Sequence, residues 1–268
     1  MTEENKNTGG SVISMVNGRL GNIMFEISAA LSYSKKHGKS GVDFVIKDKM
    51  LTPVGFYNKF LSKFNFRNSI DISRYVNGVS VFKEREDFAF REIPHYDGDV
   101  LLDGYFQNER HFDKELVKET FFITDEDRKR LSERYAGIED GVGMSVRRGD
   151  YLKLQGIFTI PSADWYISMY NKYFKGRRCF ITSDDLNWCR ENIKIDGAVF
   201  LDGSAEDCMM SAALCKDHIM SCSTFSWWCC WLDEREGVVN VFPDKWFNPK
   251  SGIDGSSIIP ERWVKEAI

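Results

Sequence analysis

The sequence predicts an α/β protein of two domains, the second Rossmann-type and the first a related but less regular α/β domain. Three observations carry this. The chain has 268 residues, about two domains at ~150 residues each. It opens with an apolar run, a Gly-rich turn and an apolar-periodic stretch, in that order. From residue 141 onward, short β-type runs alternate with helical ones, the pattern of a parallel sheet covered on both faces.

Residues 1–10 (MTEENKNTGG) are polar and lack the apolar core of a signal peptide, so they read as a disordered leader. Residues 11–16 (SVISMV) predict a strand, and residues 23–36 a helix. That helix ends in Lys35, Lys36 and His37, followed by Gly38. Cations in the last turn and a glycine just beyond it mark a helix C-terminus. Residues 43–46 predict a second strand, and 50–96 show no clean period. The run Lys83-Glu84-Arg85-Glu86-Asp87 reads as a solvated face. A strand is expected over 100–106. A charged helix follows from Thr124, whose pairing with Asp127 is a capping-box pattern. The regular part then predicts strands at 141–146, 179–182, 198–201, 218–221 and 238–242. Helices are expected between them at 162–175, 185–192, 204–215 and 225–233, with Ser204 and Asp207 as a second capping box. The expected domains are 11–138 and 139–268.

Composition excludes several classes. Lys and Arg number 36 against 40 Asp and Glu, a net charge of −4, which argues against a general nucleic-acid binder. No run of about 18 apolar residues occurs, so no transmembrane helix is predicted. The seven cysteines read as reduced thiols of a cytoplasmic protein. Cys208, Cys215, Cys222 and Cys229 recur every seven residues with His218 among them. They lack the short Cys-x₂₋₄-Cys pair of structural zinc sites, so buried small hydrophobes are the better reading.

In open α/β sheets, ligands bind beyond the carboxyl ends of strands. Five stretches therefore qualify: 18–22, 147–151, 183–185, 202–203 and 222–226. Arg147 and Arg148 leave a strand directly, and guanidinium forks match phosphate oxygens. The alternative is a surface ion pair of Arg148 with Asp150. Ser223, Thr224, Phe225 and Ser226 stand at a strand-to-helix junction, where N–H groups and the helix dipole attract anions. N-capping by Ser223 or Thr224 is compatible with that. Trp227, Trp228 and Trp231 at helical spacing read as core. Asp184 and Asp185 end another strand, as a functional carboxylate or as a cap of the next helix. Asp97-Gly98-Asp99 and Asp125-Glu126-Asp127 match Asp-x-Asp, but read as a turn and a helix start.

Together these pieces resemble the α-1,2-fucosyltransferases of glycosyltransferase family 11. The resemblance lies in GRLGNIMFEISAALSYSKKHGK near the start, LDGYFQNERHF (102–112), SVRRGDY (145–151), FITSDDLNWCRENI (180–193), AEDCMMSAALCKDHIMSCSTFSWW (205–228) and FPDKWFNP (242–249). It implies a GT-B-like fold, two Rossmann-type domains facing a central cleft, with 11–138 on the acceptor side and 139–268 binding the nucleotide sugar. It implies GDP-fucose as donor, the 2-hydroxyl of a terminal galactose in an oligosaccharide as acceptor, and inversion without metal or other cofactor. Arg147 would then stabilise the leaving diphosphate, and Arg148 would organise the loop or share that task. Ser223, Thr224, Phe225 and Ser226 would hold phosphate oxygens. Glu206, Asp207 and Asp184 would meet guanine or ribose. Arg19 and Asn22 would reach the donor phosphates or fucose, and Asp150 would serve as general base. A bacterial-type cytoplasmic enzyme is expected, with a place at the inner face of the bacterial membrane compatible with it. Two departures from the family pattern stand at Ser145, usually His, and Ile23, usually Gln. Both are expected to alter polar contacts at the ligand. A transferase of another GDP-sugar or linkage, and a non-catalytic nucleotide-sugar or glycan binder, are the competing readings.

Overall fold

A computed structural model describes residues 9–47, 55, 57–68, 78–85 and 87–268. Most of the polar leader, and Glu86 of the charged run, lie outside the described residues. The chain divides into two compact units, Met1–Thr120 and Phe121–Ile268.

The first unit contains β1 (Val12–Val16), α1 (Leu20–His37), β2 (Val42–Ile46), α2 (Asn58–Leu61), β3 (Phe66–Asn68), β4 (Ser80–Lys83), β5 (Val100–Asp103) and α3 (Lys114–Thr120). Its sheet has the order β3-β2-β1-β5-β4, with every pairing parallel. β1 is fully buried, as a central strand covered on both faces must be. α1 buries Ile23, Met24, Ile27, Ala30 and Tyr33, and stops where Gly38 turns left-handed at φ 60°. β5 ends three residues earlier than expected, because Gly104 breaks the run and Phe106 adopts φ 50°.

The second unit contains α4 (Asp125–Arg134), β6 (Val142–Val146), α5 (Ala163–Tyr173), β7 (Cys179–Ser183), α6 (Leu186–Asn192), β8 (Val199–Phe200), α7 (Ala205–Leu214), β9 (Asp217–Met220), α8 (Thr224–Trp231), β10 (Asn240–Pro243) and β11 (Val264–Glu266). Its parallel sheet runs β8-β7-β6-β9-β10-β11. Numbered from β6, this is the doubly wound order 3-2-1-4-5-6, whose direction reverses between β6 and β9. Trp227, Trp228 and Trp231 are at most 1% exposed, so they form core, with Trp227 Nε1 donating to the Ile258 carbonyl at 2.9 Å.

The division between units falls at 120/121 rather than at 138/139. α4 packs against α7, where Arg130 pairs with Asp207 at 2.6 Å, and Arg128 with Asp233 at 2.8 Å. Phe121 is buried against Trp228. The Gly137 turn before β6 resembles a linker in sequence, yet it lies inside the second unit.

Candidate active site

The loops after β6 and β9 flank the point where strand order reverses, the crevice in which this architecture binds ligands. Ser145 of β6 is in register with Thr182 of β7 and Met220 of β9. The three strand exits therefore stand side by side.

β6 delivers Arg147 and Arg148 into a short 3₁₀ segment, Gly149–Lys153. Their side chains are only 17% and 16% exposed. Arg147 donates to Asp150 through Nη2, and its Nη1 lies 2.8 Å from Asp184 Oδ2. The other Asp184 oxygen accepts the Arg148 amide at 2.9 Å. A Cβ on Gly149 would stand 2.2 Å from Asp184 Oδ2, so only glycine lets the loop close on that carboxylate. Arg148 lies over the Trp188 ring at 3.6 Å, a cation–π contact, with Asp185 Oδ2 3.7 Å from its Nε. The alternative weighed from sequence was an ion pair of Arg148 with Asp150. The structure gives Asp150 to Arg147 and Asp185 to Arg148. The two adjacent aspartates divide their roles: Asp185 caps α6 through the Trp188 amide at 3.2 Å, and Asp184 anchors the arginine loop. Tyr151 stacks on Phe158 with centroids 4.0 Å apart and faces the Arg147 guanidinium. Burial pushes its phenol above the ordinary tyrosine range, Arg147 opposing.

Two arginines face three carboxylates here, so the site carries no strong net positive field, and directed donors are what it offers an anion. Arg147 Nε and Arg148 Nε are shielded from solvent and have no hydrogen-bond acceptor among the described residues. The first turn of α8 follows β9, the strand next to β6, so its N–H groups open at the neighbouring strand exit.

At the start of α8, Ser223 caps the Ser226 amide at 3.2 Å. Ser226 Oγ sits among three other hydroxyls: Ser145 at 2.8 Å, Ser221 at 2.9 Å and Ser223 at 3.0 Å. Ser226 is fully buried, whereas Thr224 and Phe225 are partly exposed. Ser145 therefore belongs to an internal hydroxyl cluster, and Ile23 is 0% exposed on the core face of α1. Both departures from the family pattern are thus buried, Ser145 in contact with Ser226 near the start of α8 and Ile23 in the core of the first unit.

Glu206 and Asp207 open α7 beyond β8. Glu206 is 3% exposed. The Asp207 amide is capped by Ser204, and its carboxylate is taken by Arg130. Arg19 and Asn22 belong to the first unit. Arg19 stands immediately before α1, and Asn22 Oδ1 accepts from Gln107 at 3.2 Å. Trp188, Tyr151 and the Ser145–Ser226 cluster were not singled out from sequence. The first two lie inside the quoted motifs, but nothing in a linear pattern says which arginine an aromatic ring supports.

The cysteines are all free thiols. Both ring nitrogens of His218 are engaged, Nδ1 with Asn240 Oδ1 at 2.6 Å and Nε2 with the Ala212 carbonyl at 3.0 Å. Cys215, Cys222, Cys229 and this histidine are thus core residues, whereas Cys208 is partly exposed. No helix among the described residues is long and apolar enough to cross a membrane.

The profile described as glycosyl transferase family 11 matches residues 4–267. The chain belongs to glycosyltransferase family 11. It is 27% identical to an alpha-1,2-colitosyltransferase of Escherichia coli over 290 aligned positions, covering 95% of this chain and 98% of that protein. It is 26% identical to the galactoside alpha-(1,2)-fucosyltransferase 2 of Hylobates lar, over 80% of this chain and 67% of the relative. Among solved structures, a NodZ alpha-1,6-fucosyltransferase soaked with GDP-fucose superposes with a TM-score of 0.53 at 16% identity, covering 87% and 95% of the two chains. POFUT1 in complex with GDP gives 0.54 at 10% identity, covering 88% and 98%. This family-11 glycosyltransferase accordingly has the GT-B-like α/β fold of those fucosyltransferases.

Proposed function

We propose that this chain transfers L-fucose from GDP-fucose to the 2-hydroxyl of a terminal galactose, with inversion and without a required metal. The observation that carries the reading is Arg147: a largely buried guanidinium, held by Asp150 and Asp184 beside the start of α8. In the reaction, the bond between the fucose anomeric carbon and the β-phosphate oxygen breaks, and a bond to the acceptor oxygen forms on the opposite face. Charge develops on the departing diphosphate. Preorganised donors aimed at that charge lower the barrier, and we assign this work to Arg147, with Arg148 and the α8 N–H groups beside it. Thr224 and Phe225 contribute backbone and side-chain contacts at the helix start, while Ser223 and Ser226 shape it from below. The acceptor hydroxyl gives its proton to Asp150, late along an oxocarbenium-like path. Asp184 acts by positioning Arg147. Glu206 and Asp207 are assigned to the nucleoside, and Arg19 and Asn22 to the donor phosphates or fucose.

A second reading has specific support: the colitosyltransferase relative matches over 95% of this chain. The donor sugar is then colitose on the same scaffold. One assay tests both. The purified chain is incubated with GDP-fucose, or with activated colitose, and a panel of β-galactosides in excess EDTA, and products are mapped by mass spectrometry. A product heavier by one fucose at the galactose 2-hydroxyl supports the first reading and its metal independence. A product only from the colitosyl donor supports the second. GDP-fucose binding without turnover on any acceptor would favour a non-catalytic binder.

A further inference from the structure

Glu26 is 1% exposed, in the second turn of α1. Both of its carboxyl oxygens accept one N–H, that of Asn17, at 3.0 and 3.2 Å. Among the described residues no cation pairs with it: Lys47, the nearest candidate, is turned to Asp103 at 2.6 Å. Burying a carboxyl without a cation is costly, and a leucine or methionine would fill the same space at less expense. The compensation lies in what Asn17 begins. It is the first residue after β1, at the point where strand order in the first sheet reverses between β1 and β5. Asn17 Oδ1 accepts the Gly18 amide at 2.7 Å, and Gly18 turns left-handed at φ 87°. The turn is stitched to the β5 exit by Asn17 Nδ2 to Tyr105 OH at 3.4 Å, and by Gln107 Nε2 to Asn22 Oδ1 at 3.2 Å. On the far side, Glu84 accepts the amide of Phe106, a fully buried residue held at φ 50°. A backbone kept in such a sparsely populated region must be over-determined by its surroundings. Glu26 is the fixed point beneath these stitches.

We propose that Glu26 is a positioning residue: its carboxyl holds the Asn17 N–H, and so fixes the 17–22 turn and Arg19 for donor binding. This rests on the donor role assigned to that turn above. The groups facing Glu26 are Asp103, Glu84, Lys47 and Tyr105. Burial pushes its carboxyl well above the ordinary range. The Asn17 N–H opposes that, Asp103 and Glu84 reinforce it, and Lys47 opposes it. Toward Asn17 the carboxyl is an acceptor, a role that the amide oxygen of glutamine can imitate and methionine cannot.

The test uses the full chain as wild type, Glu26→Gln and Glu26→Met, with two readouts: amide hydrogen exchange over residues 17–22, and KM and kcat for GDP-fucose. Glu26→Met should exchange at least tenfold faster in this segment and raise the donor KM about tenfold, with kcat within threefold. Glu26→Gln should match wild type in both. A Glu26→Met protein with wild-type exchange and KM overturns the inference. So does a Glu26→Gln protein that loses protection and affinity, which also decides the matter should the methionine variant fail to fold. An inactive wild type would count against the proposed function alone, and the exchange data would still decide the role of Glu26.

Discussion

Arg147 Nη1 lies 2.8 Å from Asp184 Oδ2, joining the exits of two neighbouring parallel strands. The bond sets the guanidinium in one orientation before any ligand arrives. The second oxygen of Asp184 holds the Arg148 amide, so one carboxylate fixes both the side chain and the backbone of the arginine loop.

Arg147→Ala should therefore lower kcat at least a hundredfold, the usual scale for losing a principal transition-state donor. Arg147→Lys should recover little of it, because an ammonium cannot bridge Asp150 and Asp184 with the same fork. Steady-state rates with GDP-fucose, beside an unchanged melting temperature, check this. A variant with the wild-type rate would remove Arg147 from the chemistry.

Asp150→Asn separates two tasks. If Asp150 takes the acceptor proton, the amide should cut kcat tenfold or more. The donor KM should stay level or fall, since one of the three carboxylates around the two arginines has been neutralised. Loss of the acid limb of the pH–kcat profile in Asp150→Asn would mark the base, whereas a lowered kcat with that limb retained would mean that Asp150 only orients Arg147.

How much of this was legible beforehand differs between the units. In the second unit, alternating periods and capping pairs such as Ser204 with Asp207 fix the elements to within a few residues. Reading the strand exits points directly at Arg147, Asp184 and the start of α8. In the first unit, β3 and β4 are three and four residues long and carry too little period to see. The partner choices were also hidden. That Arg130 would claim Asp207 depends on α4 packing on α7, a long-range contact that no local window contains. That Ser145 and Ile23 are both buried is likewise invisible in a motif read as a line, because burial depends on how each element packs.

The hydroxyl cluster gives a stability prediction. Ser226 Oγ has one proton and two lone pairs, and its three hydroxyl neighbours use them all. Ser226→Ala strands several buried hydroxyls at once and should cost about 2 kcal/mol, within the range for unsatisfied buried polar groups. Ser145→Ala leaves Ser226 with two partners and should cost less than half as much. Denaturant midpoints at constant slope measure both. Equal losses would mean that the cluster does not centre on Ser226.

The acid limb of stability should depend on His111. Burial, with Arg110 adding to it, lowers its imidazole from 6.5 to about 4. The ring packs against Phe90 and Phe106, where a charge is unwelcome. In the unfolded chain the same ring takes a proton below about 6.5. Between those two values the unfolded state binds more protons, so stability falls as pH falls. The contribution is complete above pH 6.5 and lost by about pH 4, up to about 3.5 kcal/mol at ~1.4 kcal/mol per unit. His218, buried with its imidazole lowered, acts in the same direction, whereas Glu26, raised by burial, acts in the opposite one. The difference between wild type and His111→Gln isolates the single residue. Urea unfolding of both proteins at pH 7, 6, 5 and 4 should show the wild type losing stability more steeply, so that wild-type stability minus that of the variant falls steadily with pH. Parallel curves would show that His111 carries no proton linkage.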